Sequence, residues 1–306
     1  MGMSSSPLLR IWKALLLLQF VTGALGWGKE GHYAVCKIAE AYLNEDATAA
    51  VKELLPEYAD GDLASLCSWA DTMNFRYHWS SALHYVDTPD FFCNYDFARD
   101  CHDSSGHRYA CVTAAIYNYT DQLKSEYHNP GAVTNYNLTE ALLFLSHFMG
   151  DIHQPLHVGF TSDEGGNTID LRWFRHKSNL HHVWDREIIL QALKDYYDKD
   201  VDLLQQAIEG NFTDGLWHDD LLSWRDCDDL LECPNKYAVE SITIACKWGY
   251  KGVKEGQTLS DEYFESRMPI VMRRIAQGGV RLAMYLNALF ADPDNEQAAA
   301  IFASPT

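Results

Sequence analysis

The sequence predicts an all-α fold in one domain. Apolar residues recur at helical spacing along most of the chain, alternating strand patterns are scarce, and no repeat or low-complexity linker divides it. Residues 32–43 and 48–55 read as the first two helices, with Asn44 or Asp46 available as a cap between them. Residues 138–152 carry the strongest pattern: Asn137 caps, Glu140 follows three residues on, and Leu142, Leu145, Phe148 and Met149 form an apolar stripe that ends before Pro155. Further helices are expected over 181–197, 201–210, 237–250 and 259–290. Gly165-Gly166-Asn167 followed by residues 168–174 suggests a hairpin or short strand. The domain is expected over 27–290, with a tail over 291–306 that is poor in core residues and open to trimming.

Residues 1–26 read as a secretory signal peptide. Arg10 and Lys13 precede the apolar run 14–20, and Ala24-Leu25-Gly26 places small residues at the cleavage positions. Cleavage after Gly26 would make Trp27 the N-terminus, and a free α-amine beside its own carbonyl oxygen is a two-point chelator. Eight cysteines behind such a leader read as four disulfides, and the residues alone leave their pairing open. The sequons at Asn118, Asn137 and Asn211 also fit passage through the secretory pathway to an extracellular, vacuolar or other endomembrane compartment. No later apolar run is long enough to span a bilayer. The net charge of −19 argues against tight non-specific binding to duplex nucleic acid, although it leaves nucleic acid open as a substrate. A monomer is the default expectation.

The densest chemical stretch runs from Ser146 to His157. His147 and Asp151 are four residues apart, so both project from one helical face, and His157 approaches from beyond the proline. His181 and Asp185 repeat the spacing on a second helix. Upstream, Asp71 and His84 add a carboxylate and an imidazole, and His32 follows Trp27 by five residues. A single His-x-x-x-Asp pair is weak evidence. Two pairs, a further histidine and an N-terminal chelator point to metal, and imidazole with carboxylate suits zinc sites that keep a position open.

In order, the chain carries Trp27-Gly-x-x-Gly-His32, Trp69-Ala-Asp71, Leu83-His-Tyr-Val-Asp-Thr-Pro89, His147-Phe-Met-Gly-Asp-Ile-His-Gln-Pro-Leu-His157, Gly165-Gly-Asn167 and Asn179-Leu-His-His-Val-Trp-Asp185. Late in the chain come Asp261-Glu-Tyr-Phe-Glu-Ser-Arg267 and Ala276-Gln-Gly-Gly-Val-Arg-Leu-Ala283. With these motifs the sequence resembles the plant bifunctional nucleases, relatives of mung bean nuclease and the fungal single-strand-specific nucleases, from Trp27 to about Phe290. The resemblance implies a mainly helical fold related to zinc phospholipase C, with three zinc ions in one cleft. One ion would be held by Asp71, His84, His147 and Asp151, and a second by His157, His181 and Asp185. The third would take the amine and carbonyl of Trp27, His32 and the other oxygen of Asp151. The resemblance also implies the pairing Cys36–Cys67, Cys93–Cys246, Cys101–Cys111 and Cys227–Cys233.

The implied activity is endonucleolytic cleavage of single-stranded DNA and RNA to 5′-phosphorylated products, together with 3′-nucleotidase action. Asp71 would orient the hydrolytic water or accept its proton. Tyr85 would stack on a base, Asp87 and Asn167 would read its edge, and Gly165 would line the slot. Stacking tolerates every base but requires an unpaired one. One departure stands out: where the family carries Arg or Lys three residues after Asp71, this chain has Asn74, with Arg76 two residues later. Arg76 reads either as a substitute for the missing cation or as a surface residue paired with an acid. An uncharged Asn74 implies a slower enzyme or altered substrate preference. Other readings are a zinc phospholipase C, which would want an apolar cleft in place of Tyr85, Asp87 and Asn167, and a glycoprotein with structural metals. His153 and His182 read as supporting or packing residues. His78, His102, His107, His128, His176 and His218 read as ordinary surface or core residues.

Overall fold

The computed structural model describes residues 26–127, 129 and 136–291. The expected leader (apart from Gly26), His128 and the tail beyond Ala291 lie outside the described residues. Among the described residues twelve α-helices follow one another: α1 Lys29–Ala41, α2 Glu45–Leu54, α3 Trp69–Met73, α4 Phe97–Asp100, α5 Val112–Tyr127 and α6 Leu138–Asp151, then α7 Leu180–His182, α8 Ile188–Tyr196, α9 Val201–Thr213, α10 Leu221–Trp224, α11 Cys233–Ile244 and α12 Asp261–Phe290. Five short strands interrupt them: β1 Val86–Thr88, β2 Val158–Phe160, β3 Asp170–Trp173, β4 His176–Asn179 and β5 Thr258–Leu259. The result is a mainly helical single domain.

Side-chain caps account for several helix starts. Asn44 accepts from Ala47 N at 2.8 Å and starts α2, and Asn137 accepts from Glu140 N at 3.2 Å and starts α6. Both are side-chain caps on orphan helix donors. The 30-residue α12 runs along α1 and also meets α2, α6, α8 and α9, so it is the spine of the bundle. Beside it α5 packs on α6, and a column of aromatic rings runs through their interface: Tyr119 stacks on Phe144 at 4.9 Å, Phe144 on Phe148 at 5.4 Å, and Phe148 meets the edge of His84 at 5.0 Å. The column delivers core rigidity to the floor of the site.

Several expectations need adjustment. The helix expected over 181–197 is assembled from α7, a π-turn Val183–Glu187 and α8. The helix expected over 237–250 begins earlier, at Cys233 with Pro234 in its first turn, and ends in a second π-turn, Ala245–Gly249. The last helix starts at Asp261 because Thr258 and Leu259 pair with Arg172 and Trp173. The hairpin is β3–β4, antiparallel, and it gains β5 as a parallel third strand. Several elements carried too little pattern to be expected: the short helices α3, α4 and α10, the long α5, and the parallel β1–β2 pair, which aligns Asp87 with Gly159. Four disulfides close the chain: Cys36–Cys67, Cys93–Cys246, Cys101–Cys111 and Cys227–Cys233.

Candidate metal centre and substrate cleft

Six segments deliver the expected ligands to one place. Helix α6 presents His147 and Asp151 one turn apart, with His147 Nε2 3.3 Å from Asp151 Oδ2. Pro155 stops that helix, and the 3₁₀ turn Pro155–His157 swings His157 back toward it. Across the cleft the π-turn widens the helix after α7 and sets His181 Nε2 3.3 Å from Asp185 Oδ2; such turns concentrate at functional sites. Asp71 comes from α3, His84 from the end of the 3₁₀ turn His78–His84, and His32 from α1. A Cβ on Gly150 would lie 2.7 Å from His32 Nδ1, so only glycine lets α6 approach α1 this closely. Three groups of converging ligand atoms result: His32, His147 and Asp151; Asp71, His84 and His147; and His157, His181 and Asp185.

Hydrogen bonds fix which nitrogen each ring presents. His157 Nδ1 donates to His84 O at 2.6 Å, and His181 Nδ1 donates to Gly165 O at 2.7 Å. In a neutral ring that turns Nε2 toward the cluster, where the two Nε2 atoms lie 3.2 Å apart. An Asp185 oxygen lies beside them, 3.3 Å from His181 Nε2, so two imidazoles and a carboxylate converge as a metal's donors would. His147 repeats the device: Nδ1 donates to Cys67 O at 2.8 Å, while Nε2 faces Asp71 Oδ1 and Asp151 Oδ2, each at 3.3 Å. Buried atoms without a hydrogen-bond partner include both ring nitrogens of His32, Nε2 of His84 and one oxygen each of Asp71, Asp151 and Asp185. Buried polar atoms are ordinarily paired, so orphans that converge mark a ligand set.

The electrostatics agree with the geometry. Burial opposes charge on His147, yet Asp151 and Asp71 lift its pKa to about 9. His32, on the far side, is pushed down to about 4 by burial and by His147. Burial raises Asp185 well above the usual carboxylate range, even though Gln154 donates to it. The site therefore favours positive charge at its centre and holds it incompletely with protons alone.

Beside this cluster, β1, which Tyr85 immediately precedes, carries Asp87 past β2, and the loop after β2 returns so that Gly165 N donates to Phe160 O at 3.1 Å. Gly165 has φ +63°, and a Cβ there would overlap the carbonyl oxygen of Leu156, so the loop closes only with glycine. Asn167 is tied to this loop by Nδ2, which donates to Glu164 O at 2.9 Å. Burial raises the Asp87 carboxyl to about 7, with Glu164 and Asp163 adding to the shift. Burial and Asp87 raise Tyr85 as well.

The S1/P1 nuclease family model matches residues 27–291. Endonuclease 1 of Arabidopsis thaliana is 60% identical, over 94% of this chain and 95% of its own length. Nuclease P1 of Penicillium citrinum is 30% identical over 86% of this chain and 97% of its own length. The chain belongs to the S1/P1 nuclease family. It is a hydrolase of phosphodiester bonds, acting on nucleic acid.

In this nuclease the departures are as informative as the ligands. Asn74 caps the C-terminal end of α3, and its Oδ1 accepts from Ser80 Oγ at 3.0 Å. Arg76 is exposed and lies 5.7 Å over the ring of Tyr77, its neighbour in the chain. Gln154 was missing from the expected site. It is fully buried, donates from Nε2 to Asp185 Oδ1 at 2.5 Å and accepts from Leu156 N at 2.6 Å, so it orients a ligand carboxylate. Its position between His153 and Pro155 was the signal. His153 turns away from the ligand cluster toward Met149 O and Arg281. His182 is half-buried, its pKa lowered by burial. The remaining histidines of the described residues stand outside the three ligand groups.

Proposed function

We propose that this nuclease is a secreted, zinc-dependent endonuclease that cleaves single-stranded DNA and RNA to 5′-phosphorylated products and dephosphorylates 3′-nucleotides. The three converging ligand groups, with partnerless buried atoms on His32, His84, Asp71 and Asp151, carry the metal assignment. Oxygen and nitrogen donors without thiolate suit zinc, and all eight cysteines are held in disulfides. Bound zinc would supply Lewis acidity toward the scissile phosphate and make the hydrolytic water more acidic.

The chain's own residues would do the rest. Asp71, its side chain 14% exposed, is the ligand carboxylate nearest solvent and would orient the water and hold its proton. Asn74, clamped through Oδ1 by Ser80, would offer its amide N–H to the phosphate, and Arg76 would remain at the rim. Tyr85 would stack on the base while Asp87 and Asn167 meet its edge.

Trp27 completes the third ligand group in this reading. A Cβ on Gly26 would overlap Asp151 Oδ1 and approach His32 Nε2 at 2.7 Å. The residue before Trp27 therefore occupies the space between those two ligands, and cleavage after Gly26 would replace it with the Trp27 amine. Four disulfides support an oxidising compartment. Among the described residues no helix is long and apolar enough to cross a membrane. Asn118 is exposed on α5, and Asn137 uses its oxygen for capping, which leaves the amide nitrogen for glycan; Asn211 Nδ2 is engaged by Ala207 O at 3.0 Å. The glycans are assigned to Asn118 and Asn137, and a monomer is the working state.

The test compares mature protein on single-stranded DNA, RNA, duplex DNA and a 3′-mononucleotide, with zinc content measured before and after chelation. Zinc-dependent, 5′-phosphorylated products from single strands are expected. Full activity in a metal-free sample, or equal cleavage of duplex, would overturn the reading.

A further inference from the structure

A ring that is both exposed and rigid stands beside the proposed base slot. Phe91 is 87% exposed, and its backbone has φ +64°, the left-handed region that bulky residues avoid. It occupies the third position of a turn closed by Phe92 N donating to Pro89 O at 3.0 Å, where glycine is the usual occupant. Three restraints hold this turn. Strand β1 fixes it on one side and the Cys93–Cys246 disulfide on the other. Between them Asp90 Oδ1 accepts from Ser162 N at 3.0 Å, on the loop that carries Gly165 and Asn167. Behind the ring, Phe160 leans on Phe91 at 5.9 Å and stacks on Tyr250 at 4.5 Å. Tyr250 in turn donates to Asp163 Oδ1 at 3.0 Å, which ties the aromatic ladder to the same loop.

An exposed phenyl ring held by strand, disulfide and hydrogen bond is poorly explained by packing. We propose that Phe91 is a second stacking platform, which takes the base of the nucleotide adjoining the one in the Tyr85 slot. Three residues separate Phe91 from Asp87, and the Asp90–Ser162 bond keeps this turn against the loop that bears Gly165 and Asn167, next to the proposed slot. The surroundings select a base over a phosphate: Asp87, Asp90, Asp163 and Glu164 crowd this side of the cleft, so a phosphate would be repelled while base N–H groups would be welcome. Stacking is indifferent to base identity, which matches a nuclease that must accept any sequence.

This assignment rests on the proposed base slot, and the test separates the two. Binding is measured for thymidine 3′-monophosphate and for a short single-stranded oligothymidylate with phosphorothioate linkages. Phe91→Gly removes the ring where glycine is the favoured residue, so folding is not at risk. Phe91→Gly is expected to weaken oligonucleotide binding about tenfold and leave the mononucleotide unchanged, with Phe91→Trp restoring or tightening it. Wild-type binding of the oligonucleotide by both variants would overturn the proposal. Equal loss of both probes would also overturn it, because the ring would then serve the first nucleotide. Tyr85→Ala tests the slot separately: a mononucleotide that binds it as tightly as wild type ends the slot reading, whatever Phe91 does.

Discussion

His153 and His157 lie four residues apart, both fully buried, and their surroundings differ in kind. His153 donates from Nδ1 to Met149 O at 2.7 Å and accepts at Nε2 from Arg281 at 2.9 Å. One ring proton and one lone pair are each matched. Burial and two arginines hold it neutral, far below its ordinary pKa. Around it Arg274 and Arg281 share Glu240 at 2.9 and 2.6 Å, and Arg274 also donates to His153 O at 3.0 Å and to Ser241 Oγ at 2.7 Å. His157 instead brings Nε2 within 3.2 Å of His181 Nε2 and 3.9 Å of Asp185 Oδ1, in a cluster where atoms of His32, His84, Asp71 and Asp151 lack partners. The first region is a closed network joining α11, α12 and the end of α6. The second is open on its inner side, and that openness distinguishes a ligand set from a structural one.

The sharpest way to break the contrast is to remove one anion from each region. Asp151 faces His32 at 3.3 Å, His84 at 2.9 Å and His147 at 3.3 Å, so it joins two of the ligand groups. Asp151→Ala is expected to lower kcat on the order of 10³-fold, the several kcal/mol a metal contributes to the transition state, and to release bound metal. Metal analysis alongside single-turnover kinetics checks it. Retention of the metal complement with full activity would remove Asp151 from the centre.

Glu240→Gln is the matching change in the closed network. Two guanidinium groups would lose their shared carboxylate, at a cost of about 3 kcal/mol in unfolding free energy, with activity per folded molecule unchanged. The pH dependence gives the sign. Burial opposes ionisation of Glu240, but Arg281 and Arg274 pull its pKa down to about 2 from an ordinary 4.5. Its stabilisation is therefore complete above about pH 4.5 and is lost as pH falls toward 2. Urea denaturation across this range is expected to show a steep acid limb in the wild type that Glu240→Gln flattens. Coincident slopes would mean the network contributes nothing.

The sequence disclosed these regions unequally, for physical reasons. Ligand chemistry is local: His147 with Asp151 and His181 with Asp185 sit one turn apart, so helical spacing reveals each pair. The closed network joins His153, Glu240, Arg274 and Arg281 by bonds that span 34 to 128 residues, and such separations have no spacing to read. Helix α5 escaped because its buried face mixes Thr113, Ala114 and Thr120 with Ile116, which blunts the apolar stripe. The β1–β2 pair, three residues a side and buried at five of its six positions, is too short for any period to register. Gln154 was hidden because its one signal, an amide between His153 and Pro155 in the ligand stretch, reads as filler until its partner Asp185 is known.

Substitutions at the rim sharpen the contrast with smaller effects. Asn74→Arg would restore a cation near the phosphate, and a rise in kcat of about tenfold with little change in KM is expected. The change gives up the Asn74–Ser80 hydrogen bond, but Ser80 Oγ keeps Tyr77 O at 2.8 Å, so the local turn survives. A fall in kcat would show that the clamped amide is already the better donor.

Asp87 offers the smallest and most diagnostic effect, because its charge is neither paired nor bound to a ligand ring. Burial, Glu164 and Asp163 raise it to about 7 from an ordinary 3.8. The folded state then holds the proton more tightly than the unfolded chain, so wild type loses stability as pH rises from about 4 through 7, and Asp87→Asn does not. The ionised carboxylate accepts from base N–H groups more strongly than the acid does. Affinity for a 3′-mononucleotide whose base bears N–H donors is therefore expected to rise about fivefold across pH 7 in the wild type and to stay flat in Asp87→Asn. Stability and affinity then move in opposite directions through one titration, as expected of a group kept for binding at the expense of folding. Glu240 does the reverse, and an Asp87→Asn protein that still shows the affinity step would assign that step to another group and close the contrast.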